Sequence, residues 1–120
     1  MDKDLILTCD AGTTGCKCTI ISPTGEAISS VRRSYPTSYP QPNWAEQSPE
    51  VILSAVYDGI RELLQQVSSQ RIACVGLSGT MNGCIPMLLC QGSWQSSHNL
   101  PVSCSSCRQP VQSALRKFAY

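Results

Sequence analysis

A short loop near the N-terminus contains residue types that can bind phosphate and magnesium. Asp10 follows the apolar residues 5–9 and precedes Gly12, Thr13 and Thr14. A carboxylate at the end of a strand can hold Mg²⁺ directly or through water, and backbone N–H groups and threonine hydroxyls can donate to phosphate oxygens. Aspartate and glycine are also the commonest residues of a hairpin turn, so a plain turn is the simpler interpretation of this loop taken alone.

Two widespread nucleotide-binding motifs are absent from the sequence. No Gly-x-x-x-x-Gly-Lys-Ser/Thr segment is present, which excludes a Walker-type P-loop within these 120 residues. The glycine spacing does not fit a dinucleotide-binding fingerprint either. Any nucleotide site in this chain therefore depends on a loop of another kind.

The composition is typical of a single globular domain and gives no reason to expect a nucleic acid or membrane partner. The 120 residues are 42% hydrophobic and 14% charged, with a net charge of +1. No apolar stretch approaches the roughly 20 residues that span a bilayer, and the N-terminus lacks the form of a secretory signal. We therefore expect a cytoplasmic protein.

Eight cysteines raise the alternatives of a disulfide framework and a metal site. Five of them lie among aliphatic residues, as small core side chains do: Cys9, Cys16, Cys18, Cys74 and Cys84. Without a secretory signal, reduced thiols are expected. Cys104 and Cys107 have the spacing of half a zinc site, and Cys90 and His98 are the other ligands at hand, but no second pair follows. A small thiol-rich zinc or interaction module is therefore one alternative.

The first third of the chain predicts three strands in succession. Residues 5–9, 16–21 and 26–35 are rich in strand-forming side chains and are separated by turn residues. In the second turn Pro23 fixes φ, and Gly25 is free to take a positive φ. Two hairpins in succession give a three-stranded antiparallel meander.

A crossover, a helix and a fourth strand are predicted next. Prolines between residues 35 and 44 indicate an ordered loop without regular structure, Ser48 is a suitable N-cap, and Pro49 suits the first helical position. One apolar stripe recurs at helical spacing: Ile52, Leu53, Val56, Ile60, Leu63, Leu64 and Val67. Residues 71–77 then read as a buried strand. The order β-β-β-α-β predicts an α/β sheet with the meander at one side.

The last part of the chain differs in kind. Residues 87–120 show no sustained periodicity and are crowded with serine, cysteine, glutamine and proline; only residues 111–118 indicate a short helix. We therefore divide the chain into residues 1–86 and a divergent tail at residues 87–120.

Three segments resemble motifs of the FGGY family of carbohydrate kinases, in the family's order. Residues 10–17, DAGTTGCK, resemble its phosphate loop D-x-G-T-[ST]-x-x-K. Residues 44–50, WAEQSPE, resemble the run W-x-E-Q-x-P-x that opens its first long helix. Residues 76–83, GLSGTMNG, resemble the element G-[IL]-[SG]-G-[QT]-M-[HN]-G. The resemblance extends over about residues 5–86.

The resemblance implies a fold, cofactors and site residues. The fold is the RNase H-like, actin-like ATPase fold, of which this chain is an incomplete N-terminal portion, and the cofactors are ATP and Mg²⁺. The implied nucleotide-site residues are Asp10, Gly12, Thr13, Thr14 and Lys17, with Asp10 organising the metal through water. Met81 and Asn82 occupy positions that line the pocket for a small carbohydrate or polyol. For Glu46 and Gln47 two interpretations stay open, a role in the site or a place in the entry and capping of the helix; Trp44 is interpreted as a packing anchor.

The sequence departs from the family after Pro86. The family continues there with a strand that carries aspartate and then a W/H-x-D-x-R motif, whereas residues 87–108 contain no carboxylate. The family's general-base aspartate corresponds to no residue of this chain, so we assign no catalytic residue within it. We expect a fragment of an ATP-dependent carbohydrate kinase that is inactive by itself; the alternative from the same features is a truncated, non-catalytic product.

We predict that the tail after about residue 86 is read in a shifted frame or spliced abnormally. If Cys107 to Pro110 were encoded by TGC-CGA-CAG-CCG, reading one base later would give Ala-Asp-Ser followed by Arg, which matches the family's D-x-R. The gene and transcript sequences from codon 80 onward decide this. An acidic motif in another frame or exon is the expected finding, and its absence from every frame would show that the tail is genuine.

Overall fold

The computed structural model describes residues 2–81 and the backbone of two short strands at residues 87–90 and 93–96. The elements are β1 (Leu5–Ala11), β2 (Gly15–Ile21), β3 (Ala27–Ser34), α1 (Pro49–Gln66), β4 (Ile72–Gly79), β5 (Met87–Cys90) and β6 (Ser93–Ser96). A single 3₁₀ turn, Ser69–Arg71, leads from α1 into β4.

The main sheet has the predicted topology. Its strand order is β3-β2-β1-β4, with the first three strands antiparallel and β4 parallel to β1. The crossover from β3 through α1 to β4 makes the parallel pairing possible, because parallel strands cannot be joined by a tight turn. The order β-β-β-α-β is therefore confirmed, and Gly25 takes the positive φ expected of it, 88°.

The tail contains two strands that the sequence did not predict. β5 and β6 pair as an antiparallel hairpin, with Met87 opposite Ser96 and Cys90 opposite Ser93. Residues 87–90 are continuously apolar and residues 93–96 contain one apolar residue, so neither segment shows the alternation that indicates a strand. The short helix predicted at residues 111–118 lies outside the described residues.

Helix α1 begins as its sequence predicts. The Oγ of Ser48 accepts a hydrogen bond from the backbone N–H of Val51, Pro49 occupies the first turn, and Glu50 places a negative charge at the positive end of the helix dipole. Within the described part of the chain, no helix is both long and apolar enough to cross a membrane.

The core lies between α1 and one face of the sheet. Its buried members are Leu5, Leu7, Cys9, Cys18, Ile20, Val31 and Leu63, with Val56, Ile60, Val67 and Ile72 packed around them. The helix packs closely against β2 at a glycine: a Cβ at Gly59 would lie 3.1 Å from the Sγ of Cys18. Glycine destabilises a helix by up to about 1 kcal/mol. At Gly59 the missing side chain allows α1 to approach β2.

Strand β4 contradicts its sequence-based prediction, which was a buried strand. Val75 is 54% exposed and Leu77 is 78% exposed, although both lie on the face that α1 covers elsewhere. The reason is placement: β4 is an edge strand, and α1 packs over β2 and β3 and hardly reaches beyond β1. Apolar composition predicts a strand that is suited to burial, but it does not say what covers the strand.

The burial predicted for the cysteines is confirmed for three of them and wrong for one on β4. Cys9, Cys16 and Cys18 are buried as predicted and are free thiols; the Sγ of Cys9 donates a hydrogen bond to the Sγ of Cys18 at 3.3 Å. Cys74 was also predicted to be buried, but it is exposed because it lies on β4. Cys84 lies outside the described residues, as do Cys104 and Cys107.

We expect the buried thiols to make stability depend on alkaline pH. Burial raises the pKa of Cys9 and Cys16, and raises that of Cys18 from its ordinary 9.0 to about 12. The folded state therefore binds more protons than the unfolded state in this range. The stabilisation is fully present below pH 9.0 and is lost as the pH rises toward about 12. Urea unfolding midpoints should fall across that window, and less steeply in Cys18→Ala.

A matched control comes from the exposed thiol on β4. In the folded wild type, iodoacetamide should modify the exposed Cys74 much faster than the buried Cys18. Equal alkylation rates at the two cysteines, or identical pH profiles for wild type and Cys18→Ala, would contradict this account of the core.

Candidate functional site

The site is built on the hairpin between β1 and β2. The N–H of Gly12 donates to the carbonyl oxygen of Gly15 at 2.9 Å, which closes a tight loop. A Cβ at Gly15 would lie 2.4 Å from the carbonyl oxygen of Arg33, so β3 passes too close for any side chain there. The loop is thus a hairpin turn, as its composition alone indicated, and its suitability for phosphate depends on what surrounds it.

A row of polar and charged residues crosses the sheet beside this loop. Register pairs Asp10 with Lys17, Lys17 with Arg32, and Asp10 with Ser78 on β4. Directly paired residues share a face, and Asp10 and Lys17 alternate with the buried Cys9 and Cys18. The row therefore lies on the face opposite α1, and all four of its residues are exposed.

An open groove of about 320 Å³ lies at this end of the sheet. It is lined by Asp10, Gly12, Thr14, Gly15, Cys16, Lys17, Arg32, Arg33 and Ser34. Four residues of the sequence-predicted nucleotide site, Asp10, Gly12, Thr14 and Lys17, are thus brought together in one groove. Thr13 lies in the same loop and is exposed, but it is not part of the lining.

Two arginines of the groove were missed by the sequence analysis, and they differ in their partners. The guanidinium of Arg33 pairs with the carboxylate of Glu62 on α1. Arg32 faces the opposite side, and within residues 2–81 its guanidinium makes no hydrogen bond or ion pair; the same holds for the side chains of Asp10 and Lys17. Alternation along β3 puts the two arginines on opposite faces of the sheet, and this much is visible in the sequence. The position of Arg32 beside Lys17 depends on the strand register.

The loop is held from outside by the crossover that joins β3 to α1. The hydroxyl of Tyr35 donates to the carbonyl oxygen of Gly12, and the backbone N–H of Tyr35 donates to that of Thr14 at 3.2 Å. The side-chain amide of Gln47 donates to the carbonyl oxygen of Thr13 at 2.7 Å. Ser48 caps the helix as predicted, and the side chain of Gln47, for which a site role and a place in the helix entry were both open, contacts the loop.

Tyr35 is suited to this contact because it is buried. Only 6% of its surface is exposed, and burial raises the pKa of its phenol, with Cys16 and Asp10 adding to the shift. The hydroxyl therefore stays protonated and remains a hydrogen-bond donor well above neutral pH.

The predicted substrate residues follow β4. The N–H of Thr80 donates to the carbonyl oxygen of Ala11 at 3.0 Å, which ties the end of β4 to the end of β1. Met81 comes next and is 88% exposed. Asn82 lies outside the described residues.

The groove fits a magnesium–nucleotide group better than a thiol-bound metal. Asp10 supplies the single carboxylate of the lining; within residues 2–81, Lys17 and Arg32 form no ion pair, and the amides of Thr13 and Thr14 have no backbone partner. Oxygen ligands suit Mg²⁺, and cations and amides suit phosphates. Among residues 2–81, no cluster of three or more His, Cys, Asp or Glu residues could hold a metal ion.

Sequence comparison finds the same family that the motifs indicate. Residues 5–88 match the model of the N-terminal domain of the FGGY family of carbohydrate kinases. A glycerol kinase from Gloeobacter violaceus is 36% identical over 80 residues, which cover 67% of this chain. The chain spans only 16% of the length of that relative.

Structure comparison agrees. A gluconate kinase and a ligand-bound xylulose kinase, both from Lactobacillus acidophilus, each superpose with a TM-score of 0.68 at 27% identity. In both cases the match covers 94% of this chain and 22% of the other. The predicted fold class, an N-terminal portion of the actin-like ATPase fold, is thereby confirmed. The chain belongs to the FGGY family of carbohydrate kinases.

Proposed function

We propose that this chain forms the phosphate-binding corner of an ATP-dependent kinase that transfers the γ-phosphoryl group to a hydroxyl of a small carbohydrate or polyol. One observation carries the proposal: Asp10, Lys17 and Arg32 form a row without internal ion pairs, next to a loop with unpartnered amides. Unpaired charges of both signs, exposed side by side, suit a ligand that carries a metal cation and phosphate anions together.

Asp10 is the proposed magnesium residue. Its carboxylate accepts no hydrogen bond from residues 2–81, and its neighbours in the sheet are Lys17 on β2 and Ser78 on β4. When bound, Mg²⁺–ATP supplies the phosphoryl group, and the metal neutralises the developing charge. Asp10 orients that metal, through water, at the edge of the groove.

Lys17, Arg32 and the loop hold the phosphates in this proposal. The two side chains supply positive charge from neighbouring strands, and the amides of Thr13 and Thr14 supply donors that need no charge. Since the transition state of phosphoryl transfer needs positioning and charge stabilisation above all, such fixed groups contribute directly to rate.

The substrate pocket is proposed to begin after β4. Met81 and Asn82 are its residues in this chain, and the register places the end of β4 next to Asp10. The relatives are named as kinases of glycerol, gluconate and xylulose, which share several hydroxyl groups on a small skeleton. We infer a substrate of that class, with no nucleic acid or membrane partner. Free thiols suit a cytoplasmic location.

We predict that Asp10→Asn in the longer kinase that contains these residues lowers kcat by at least about a hundredfold. The amide has the same shape but no charge, so the metal is held less firmly. Stability should not change, because the Asp10 side chain is exposed and makes no hydrogen bond within residues 2–81. Steady-state kinetics over a range of Mg²⁺ concentrations and thermal melting measure the two quantities. Asp58→Asn, on the exposed side of α1, is the matched control.

Near-normal turnover of a correctly folded Asp10→Asn enzyme would show that the loop is only a hairpin. A loss of equal size in Asp58→Asn would show that the effect is not specific to the groove.

We also predict that the 120-residue chain alone phosphorylates no sugar. The general base that removes the proton of the attacking hydroxyl has no proposed counterpart in it. A coupled ADP-release assay with glycerol, gluconate and xylulose should give rates equal to the protein-free blank. Sustained ATP-dependent phosphorylation by the purified chain would refute the assignment of catalysis to residues outside it.

A further inference from the structure

We propose that Tyr35 and Gln47 are positioning residues that turn the loop's carbonyl oxygens away from the groove and leave its amides for an anion. The inference rests on the proposed function, because the anion it envisages is a phosphate group. Neither residue lines the groove itself. Both act through the backbone of the loop, from the crossover of residues 35–48 that joins β3 to α1.

The contacts form a consecutive series. The carbonyl oxygens of Gly12, Thr13 and Thr14 each accept one hydrogen bond, from the Tyr35 hydroxyl, the Gln47 amide and the Tyr35 N–H respectively. The next carbonyl oxygen, of Gly15, accepts the N–H of Gly12. Four successive carbonyl groups are therefore satisfied within the described structure.

Two backbone N–H groups of the loop, in contrast to its carbonyl oxygens, have no hydrogen-bond partner in the described structure. The N–H groups of Thr13 and Thr14 donate to no described residue, although the same two residues have satisfied carbonyls. Backbone dipoles in this segment therefore present their positive ends unpaired. Successive free N–H groups attract an anion, and tying the carbonyls removes the repulsion that their oxygens would exert.

The crossover is braced so that its two donors keep their spacing. Ser38 and Glu46 exchange a pair of backbone hydrogen bonds at 2.8 and 2.9 Å, which closes the crossover into a narrow loop. Tyr35 precedes this bridge and Gln47 follows it, so the bridge brings the two residues to the same place. Fixing the donors before a ligand arrives lowers the entropy that binding must remove.

Gln47 uses its amide fully. Its Nε2 donates to the carbonyl oxygen of Thr13 at 2.7 Å and to the Oγ1 of Thr37 at 2.9 Å. The amide group has two N–H donors, so both are engaged. A side chain of similar length without donors would release the Thr13 carbonyl and keep the packing.

The test uses the full 120-residue chain with ¹³C and ¹⁵N labels, without ligand and then with inorganic tripolyphosphate. Gln47→Met removes the amide donors, and Tyr35→Phe removes only the hydroxyl. Gln66→Met is the matched control, because Gln66 makes a side-chain contact with Ser29 far from the loop. Three quantities are measured: the ¹³C′ shifts and amide exchange rates at residues 12–15, the tripolyphosphate affinity, and the melting temperature.

We expect the two loop variants to shift the carbonyl resonances of Thr13 or Gly12, to speed amide exchange in the loop, and to weaken tripolyphosphate binding between about twofold and tenfold. The melting temperature should change no more than in Gln66→Met, which should leave the loop and the affinity unchanged. Such a result separates positioning from a general loss of stability.

The outcomes distinguish the positioning role of Tyr35 and Gln47 from the proposed phosphate site. If the ligand-free loop is the same in wild type, Gln47→Met and Tyr35→Phe, the positioning role is wrong. If affinity falls while the ligand-free loop is unchanged, the residues contact the ligand directly, and the positioning role is again wrong. If the loop loosens as expected but wild type does not bind tripolyphosphate, positioning stands and the proposed phosphate site fails.

Discussion

The antiparallel register of β1 against β2 is the constraint on which both the core and the candidate site depend. Cys9 lies opposite Cys18 on the face that α1 covers, and Asp10 lies opposite Lys17 on the other face. Because side chains alternate along a strand, a slip of one residue would bury the charges and expose the thiols. The register that buries the two thiols therefore also exposes the charged row.

Small residues let the surrounding elements close on this hairpin. Gly59 brings α1 to within contact of Cys18, and Gly15 brings the backbone of β3 against the loop. These two close contacts fix the position of the loop relative to α1 and β3. The crossover then completes the loop's environment, because Tyr35 and Gln47 satisfy carbonyls that would otherwise face solvent or the groove.

The same alternation decides which charged side chains form ion pairs that hold the fold and which belong to the candidate site. On β3, Arg33 faces the helix and pairs with Glu62, whereas Arg32 faces away and remains unpaired beside Lys17. Another ion pair, Asp4 with Arg71, joins the start of β1 to the 3₁₀ turn before β4, and the Arg71 guanidinium holds the pKa of the Asp4 carboxyl below its usual range. The charges of the row, those of Asp10, Lys17 and Arg32, lie at the opposite end of β1, beside the loop.

The sequence by itself determined the features that depend on neighbours along the chain. Strand alternation, the Ser48 cap, the Gly25 turn and the motif at residues 10–17 were all readable, because local backbone preference and periodicity produce them. Tertiary structure alone decided three others. Arg32 joins Lys17 only through register, Gln47 reaches Thr13 only because the crossover folds back, and β4 is exposed because α1 covers other strands. Each depends on contacts between residues distant in sequence, which local periodicity does not encode.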